Sequence, residues 1–129
     1  MIYLTDTHSL IWFFTEHTAL SQKSKAIFEA AEQGENTIII PLIVLSELFY
    51  LCEKKNVQPL FSQIMDKLSE QTSYTAYEFN FPVFLTSTAL SKIPEMHDRI
   101  ITATAKVLHT PLITRDEKIT LSGYIKTIW

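Results

Sequence analysis

Asp6, Glu47, Asp98 and Asp116 are the four acids of this chain whose local settings suit chemistry as well as structure. Glu47 lies in Leu42-Ile-Val-Leu-Ser-Glu-Leu-Phe-Tyr-Leu-Cys, a helical stretch apolar almost all round, which implies burial on most faces. A carboxylate there costs several kcal/mol, or shifts its pKa, unless it is paired, hydrogen-bonded or bound to a metal. The plain alternative is a Glu on a narrow exposed stripe or one paired with a Lys. Lys54 and Lys55 lie two turns on, beyond the i,i+4 reach that would pair them with it. Each Asp has an equally plain reading. Asp98 opens the helical run Asp98-Arg-Ile-Ile-Thr-Ala-Thr-Ala as an N-cap or first-turn acid, and Asp6 and Asp116 each follow a strand and could cap what comes next.

Taken together, the four predict one crevice. Four carboxylates at one place repel unless a cation neutralises them. Oxygen ligands, with no Cys or His at zinc spacing, point to Mg²⁺ or Mn²⁺. His8 and His97 fall near the mouth of such a site, and exposed loop histidines are the simpler reading of both. Other chemistries fit poorly. The only glycines, Gly34 and Gly123, do not open a phosphate-binding helix after the first strand. There is no G-x-S-x-G elbow and no Cys–His arrangement. A doubly wound phosphatase would want a second acid two residues after Asp6, where His8 stands.

The elements that must position these acids alternate. Ile2 to Thr5 reads as a buried strand, and Thr7 to Phe14 as a helix. Ser21 starts a second helix that Gly34 closes as a C-cap glycine. Thr37 to Ile40 is a strand bounded by Pro41, which sits at or just before the first turn of the helix Leu42 to Lys55. Further helices are expected over Pro59 to Leu68, Pro82 to Leu90, Asp98 to about His109, and Asp116 to Leu121. Strands are expected at Ser73 to Phe79, Pro111 to Thr114 and Ile125 to Trp129. Short strands apolar on both faces, alternating with helices, predict a parallel sheet covered on both sides. Sites in such sheets form at the carboxyl ends of the strands, which is where Asp6 and Asp116 fall.

Composition sets the outer bounds. A chain of 129 residues, 47% hydrophobic, is enough for one domain with a real core, and residues 1–129 are expected to form it. Cys52 is alone, so no internal disulfide can form, and its apolar setting predicts an inert buried thiol. The N-terminus carries no signal-peptide pattern, and the apolar run Ile38 to Cys52 is too short to cross a bilayer, so a cytoplasmic protein is expected. The net charge of −3 argues against a strongly basic nucleic-acid binder. Taking the four site acids from the 14 Asp and Glu leaves 10 against 11 Lys and Arg, so a local basic rim remains open.

With these residues in view, the chain resembles the PIN-domain nucleases, and among them the VapC-type toxins of toxin–antitoxin pairs. The matching segments are Tyr3-Leu-Thr-Asp-Thr-His-Ser-Leu-Ile-Trp12, Val44-Leu-Ser-Glu-Leu48, His97-Asp-Arg-Ile-Ile-Thr-Ala-Thr-Ala105 and Pro111-Leu-Ile-Thr-Arg-Asp116. They fall in order over essentially the whole chain; from about Pro59 to Ser91 only the helical pattern matches. The resemblance implies an α/β domain with a five-stranded parallel sheet and helices on both sides. It implies an acidic pocket of Asp6, Glu47, Asp98 and Asp116 holding Mg²⁺ or Mn²⁺, with Thr114 hydrogen-bonding near the ligands. It further implies an RNA substrate, a homodimer, and a small antitoxin protein that covers the pocket.

Arg99 and Arg115 adjoin the acids and could meet backbone phosphates, or form surface ion pairs worth little. Glu117 could share the part of Asp116. The rival to an enzyme is a non-catalytic module of the same fold that binds a protein. The run Leu10, Ile11, Trp12, Phe13 and Phe14 allows an interface of that kind, a dimer contact or ordinary core packing.

Overall fold

The computed structural model describes all 129 residues, Met1 to Trp129. The elements run β1 (Ile2–Thr5), α1 (Thr7–Phe14), α2 (Gln22–Glu32), β2 (Thr37–Pro41), α3 (Leu42–Lys54), α4 (Gln58–Glu70), β3 (Tyr74–Tyr77), α5 (Phe81–Thr88), α6 (Met96–Leu108), β4 (Leu112–Ile113), α7 (Glu117–Ser122) and β5 (Thr127–Ile128). The five strands form one all-parallel sheet in the order β3-β2-β1-β4-β5. From central β1 the chain builds outward through β2 and β3, then returns to the other side of β1 for β4 and β5. The strand order therefore reverses between β1 and β4, which are paired Leu4 to Leu112 and Thr5 to Ile113. Helices diverge at such a reversal and leave a crevice at the carboxyl ends of the strands.

The alternation expected from the sequence is the alternation found. Leu4, Ile38, Ile40, Leu112 and Ile113 are fully buried, as strands covered on both faces require. The main core joins these to Leu10, Phe28, Val44, Leu48 and Ile101 from the covering helices. Ser21 caps α2 by accepting the Ser24 N–H at 3.1 Å, and Gly34 follows that helix in the left-handed conformation (φ 78°) that a side chain would resist. Cys52 is buried, and burial raises its thiol pKa, in keeping with an inert role. No helix is long and apolar enough to cross a membrane.

Two expectations need correction. Helix α6 starts at Met96, two residues before the expected start, with Glu95 as its N-cap; of the two readings of Asp98, the first-turn acid is the one found. The Glu95 carboxylate accepts the Asp98 N–H at 2.9 Å, and this extra residue of capping extends the helix upstream. Helix α3 is also less enclosed than its composition implies. Val44, Leu45, Leu48 and Cys52 are buried, but Leu42, Phe49 and Tyr50 are exposed at 46, 40 and 68%. Helix α3 packs on β2, α1, α4 and α6, and Phe49 meets Phe61 of α4 edge-on at 5.3 Å, yet a stripe through Leu42 and Tyr50 still meets solvent despite being apolar. The strands β3, β4 and β5 are shorter than their apolar runs, since flanking residues leave the ladder where the chain turns.

Candidate active site

Asp6 follows β1 directly and caps α1. Its Oδ1 accepts the Ser9 N–H at 2.9 Å, while its Oδ2 accepts the Thr114 hydroxyl at 2.5 Å. Both carboxylate oxygens are thus held, one by its own helix and one by the loop after β4. Burial pushes the Asp6 pKa up, and the hydrogen bonds from Ser9 and Thr114 oppose that rise. Thr114 is itself buried and also accepts the Asp116 N–H at 3.1 Å, so one hydroxyl links the two strand-end acids. Asp116 caps α7 through the Ile119 N–H at 2.9 Å. The cap readings of Asp6 and Asp116 are therefore correct as local structure. They also aim the two side chains, because a cap leaves the carboxylate at the helix mouth.

Glu47, half-buried on α3, accepts a hydrogen bond from the hydroxyl of buried Thr7, the first residue of α1. Thr7 was not singled out from the sequence. It adjoins Asp6, but its partner lies 40 residues away, and nothing local signals that contact. Asp98 comes in from α6. Its pKa is raised to about 6, first by burial and then by the negative charges of Asp116, Glu95, Glu47 and Asp6. Acids from four distant segments thus act on one another.

Asp6, Glu47, Asp98 and Asp116 line one cleft of about 590 Å³, together with Glu95 and Arg115. Glu95 is a further acid that sequence reasoning passed over, since Glu is not among the residues that favour an N-cap. Burial would raise its pKa, but the His97 ring at 2.7 Å and the N–H groups of Asp98 and His97 prevail and lower it. That contact with Glu95 raises the His97 pKa in turn. Of the two arginines, Arg115 is exposed on the cleft wall and makes no ion pair. Arg99 turns the other way. Its Nε donates to the Ile93 carbonyl at 2.5 Å, and it lines an apolar hollow with Phe84 and Met96. Glu117 and His8 also reach the cleft.

No three His, Cys, Asp or Glu side chains are gathered as a ready ligand set for one ion. Mg²⁺ does not need such a cage. It keeps several waters and is held through one or two carboxylates, whereas zinc wants a closed set of nitrogen and sulfur ligands. An oxygen-only donor set, in which neighbouring charges raise the Asp98 pKa, fits a hard divalent cation bound partly through water.

The comparisons agree with this geometry. The PIN domain family model matches residues 3–121. Among solved structures, the chain is similar to VapBC2 of Rickettsia felis bound to a promoter DNA fragment, at 21% identity, TM-score 0.76, covering 99% of this chain and 98% of that one. It is similar to a toxin–antitoxin complex of Klebsiella pneumoniae, at 24% identity, TM-score 0.70, covering 98 and 96%. It is also similar to FitAcB of Neisseria gonorrhoeae, at 18% identity, TM-score 0.72, covering 100 and 97%. No curated protein matches the sequence. With a family model spanning nearly the whole chain and its acids gathered where the strand order reverses, this chain belongs to the PIN domain family.

Proposed function

We propose that this protein is a divalent-cation-dependent endoribonuclease and the toxin of a toxin–antitoxin pair. One observation carries the reading: four carboxylates from four separate segments line one cleft at the strand-order reversal. When bound, Mg²⁺ or Mn²⁺ would supply a water of lowered pKa and neutralise charge growing on the phosphate. Asp6, Asp98 and Glu47 would be the principal ligands, directly or through water, with Glu47 held in place by the Thr7 hydroxyl. Asp116, fixed as a cap, completes the wall or orients the attacking water. Thr114 holds Asp6 in one rotamer, and exposed Arg115 is free to meet a phosphate oxygen.

The similar structures include complexes described as VapBC and as toxin–antitoxin, which supports a protein antitoxin as partner. Self-association is proposed through the face where Phe81, Phe84, Leu85 and Met96 are exposed at 45 to 67%. The rival reading, a non-catalytic protein-binding module, rests in sequence on Leu10 to Phe14, but Leu10 is core and Ile11, Trp12, Phe13 and Phe14 pack against it, so its support moves to this same face. Titrating Mn²⁺ into wild type and Asp6→Asn by calorimetry, followed by an RNA cleavage assay on each, tests the proposal. Binding and cleavage by the wild type alone support it. Full activity in folded Asp6→Asn would refute the site, and no binding or cleavage by either protein would hand the case to the binding module.

A further inference from the structure

Helix α1 carries more than Asp6 and Thr7. His8 and Trp12, one turn apart, place their rings 5.6 Å apart between centroids. Trp12 is in turn stacked with His17 at 5.6 Å and 24°, and braced edge-on by Trp129 at 5.9 Å. The chain folds back to make this contact: Glu16 adopts the left-handed conformation (φ 54°), and the His17 N–H donates to the Trp12 carbonyl at 2.8 Å. A non-glycine residue takes that conformation at a cost. The His17 ring is then fixed, its Nδ1 accepting the Ala19 N–H at 2.9 Å.

The result is a row of rings held in place yet open. His8 and His17 are exposed and Trp12 is half-buried. The row begins at the acidic cleft, since His8 and Trp12 line its wall. Trp12 is also the single residue shared with the neighbouring cleft of about 600 Å³, which His17 lines. A polymer leaving the acidic cleft on this side must cross Trp12. Six residues of helix place Trp12 about 9 Å beyond Asp6 along the axis. Flat π-faces beside a phosphate-cleaving centre suit the unstacked bases of a single strand, which stack on aromatic side chains with little regard to sequence.

We propose that His8, Trp12 and His17 form a stacking ledge for nucleobases flanking the scissile phosphate of single-stranded RNA, an inference resting on the nuclease reading above. Trp12 and Trp129 are the only tryptophans, so the ledge reports on itself by fluorescence. The probe is an RNA single strand of about eight nucleotides, titrated in Ca²⁺ beside an abasic strand of the same length. Quenching by the RNA and not by the abasic strand, retained in Trp129→Phe and lost in Trp12→Ala, is the expected result. In Mn²⁺, Trp12→Ala should raise the cleavage KM about tenfold with kcat little changed. His8→Ala should give a smaller rise, and Trp12→Phe should keep most of the wild-type KM.

Equal quenching by both strands, or an unchanged KM in Trp12→Ala and His8→Ala, would overturn the ledge and leave Trp12 as packing. Should Trp12→Ala fail to fold, His8→Ala and His17→Ala, at exposed positions, decide between the same outcomes. The two readings fail separately. Cleavage by the wild type without quenching sinks the ledge alone, whereas base-dependent quenching without cleavage under any divalent ion sinks the nuclease and keeps a nucleobase site. Quenching produced only by a protein partner, never by RNA, also overturns the proposal.

Discussion

Replacing Asp98 with Asn should stabilise the metal-free protein while weakening its grip on a divalent ion. In the folded chain the Asp98 pKa stands at about 6 against an ordinary 3.8, raised by burial and by the surrounding acids. The folded state therefore binds this proton more tightly than the unfolded state. The stabilising contribution is full below about pH 4 and is lost as pH rises through about 6, so at pH 7 the charged Asp98 is a net cost. Two pH units correspond to nearly 3 kcal/mol, and because Asp98 is half-exposed, solvent screening reduces this to about 1 kcal/mol. Asp98→Asn in EDTA at pH 7 should then melt about 3–5 °C above wild type. The gap should close near pH 4, where the wild-type acid is protonated. Saturating Mn²⁺ should reverse the order, since an ion at a hundred times its Kd adds about 2.7 kcal/mol to whichever protein binds it. Thermal unfolding with and without Mn²⁺ at the two pH values reads all of this. A variant no more stable than wild type at pH 7 in EDTA would refute the raised Asp98 pKa, with its burial and its acidic neighbours as joint causes.

Three further outcomes follow from named contacts. Thr114→Val removes the donor to Asp6 and the acceptor for the Asp116 N–H, so the Kd for Mn²⁺ should rise about 10- to 100-fold and stability fall by about 1–3 kcal/mol, read by calorimetry and urea unfolding. Thr7→Val frees the Glu47 carboxylate and should lower RNA cleavage about tenfold or more, while Thr7→Ser, which keeps the hydroxyl, should restore most of it. His109 ends α6 in the left-handed conformation (φ 50°), so His109→Gly should raise stability by about 0.5–1 kcal/mol in a denaturant titration without touching cleavage.

Much of the fold was legible because its signals are local. β-branched runs such as Thr37 to Ile40 become strands, Ser21 caps a helix through its own side chain, and Gly34 ends that helix by accepting a left-handed φ. Element edges were less legible. Glu95 extends α6 upstream, since a Glu cap is rarer than the Asp that the sequence offered three residues later. Exposure on α3 was misjudged because periodicity reports apolarity, and only the neighbours decide which apolar faces are covered.

The sequence by itself determined the alternating α/β class, and the types and order of the acids. Those properties reside in residues a few positions apart, where backbone preference and hydrophobic period act. Only the tertiary structure decided that Thr7 holds Glu47, that the Thr114 hydroxyl ties Asp6 to the Asp116 loop, and that Arg115 faces the cleft while Arg99 turns away. Such contacts join segments as far as 108 residues apart. Their geometry depends on β1 and β4 pairing side by side where the strand order reverses, which no local preference encodes.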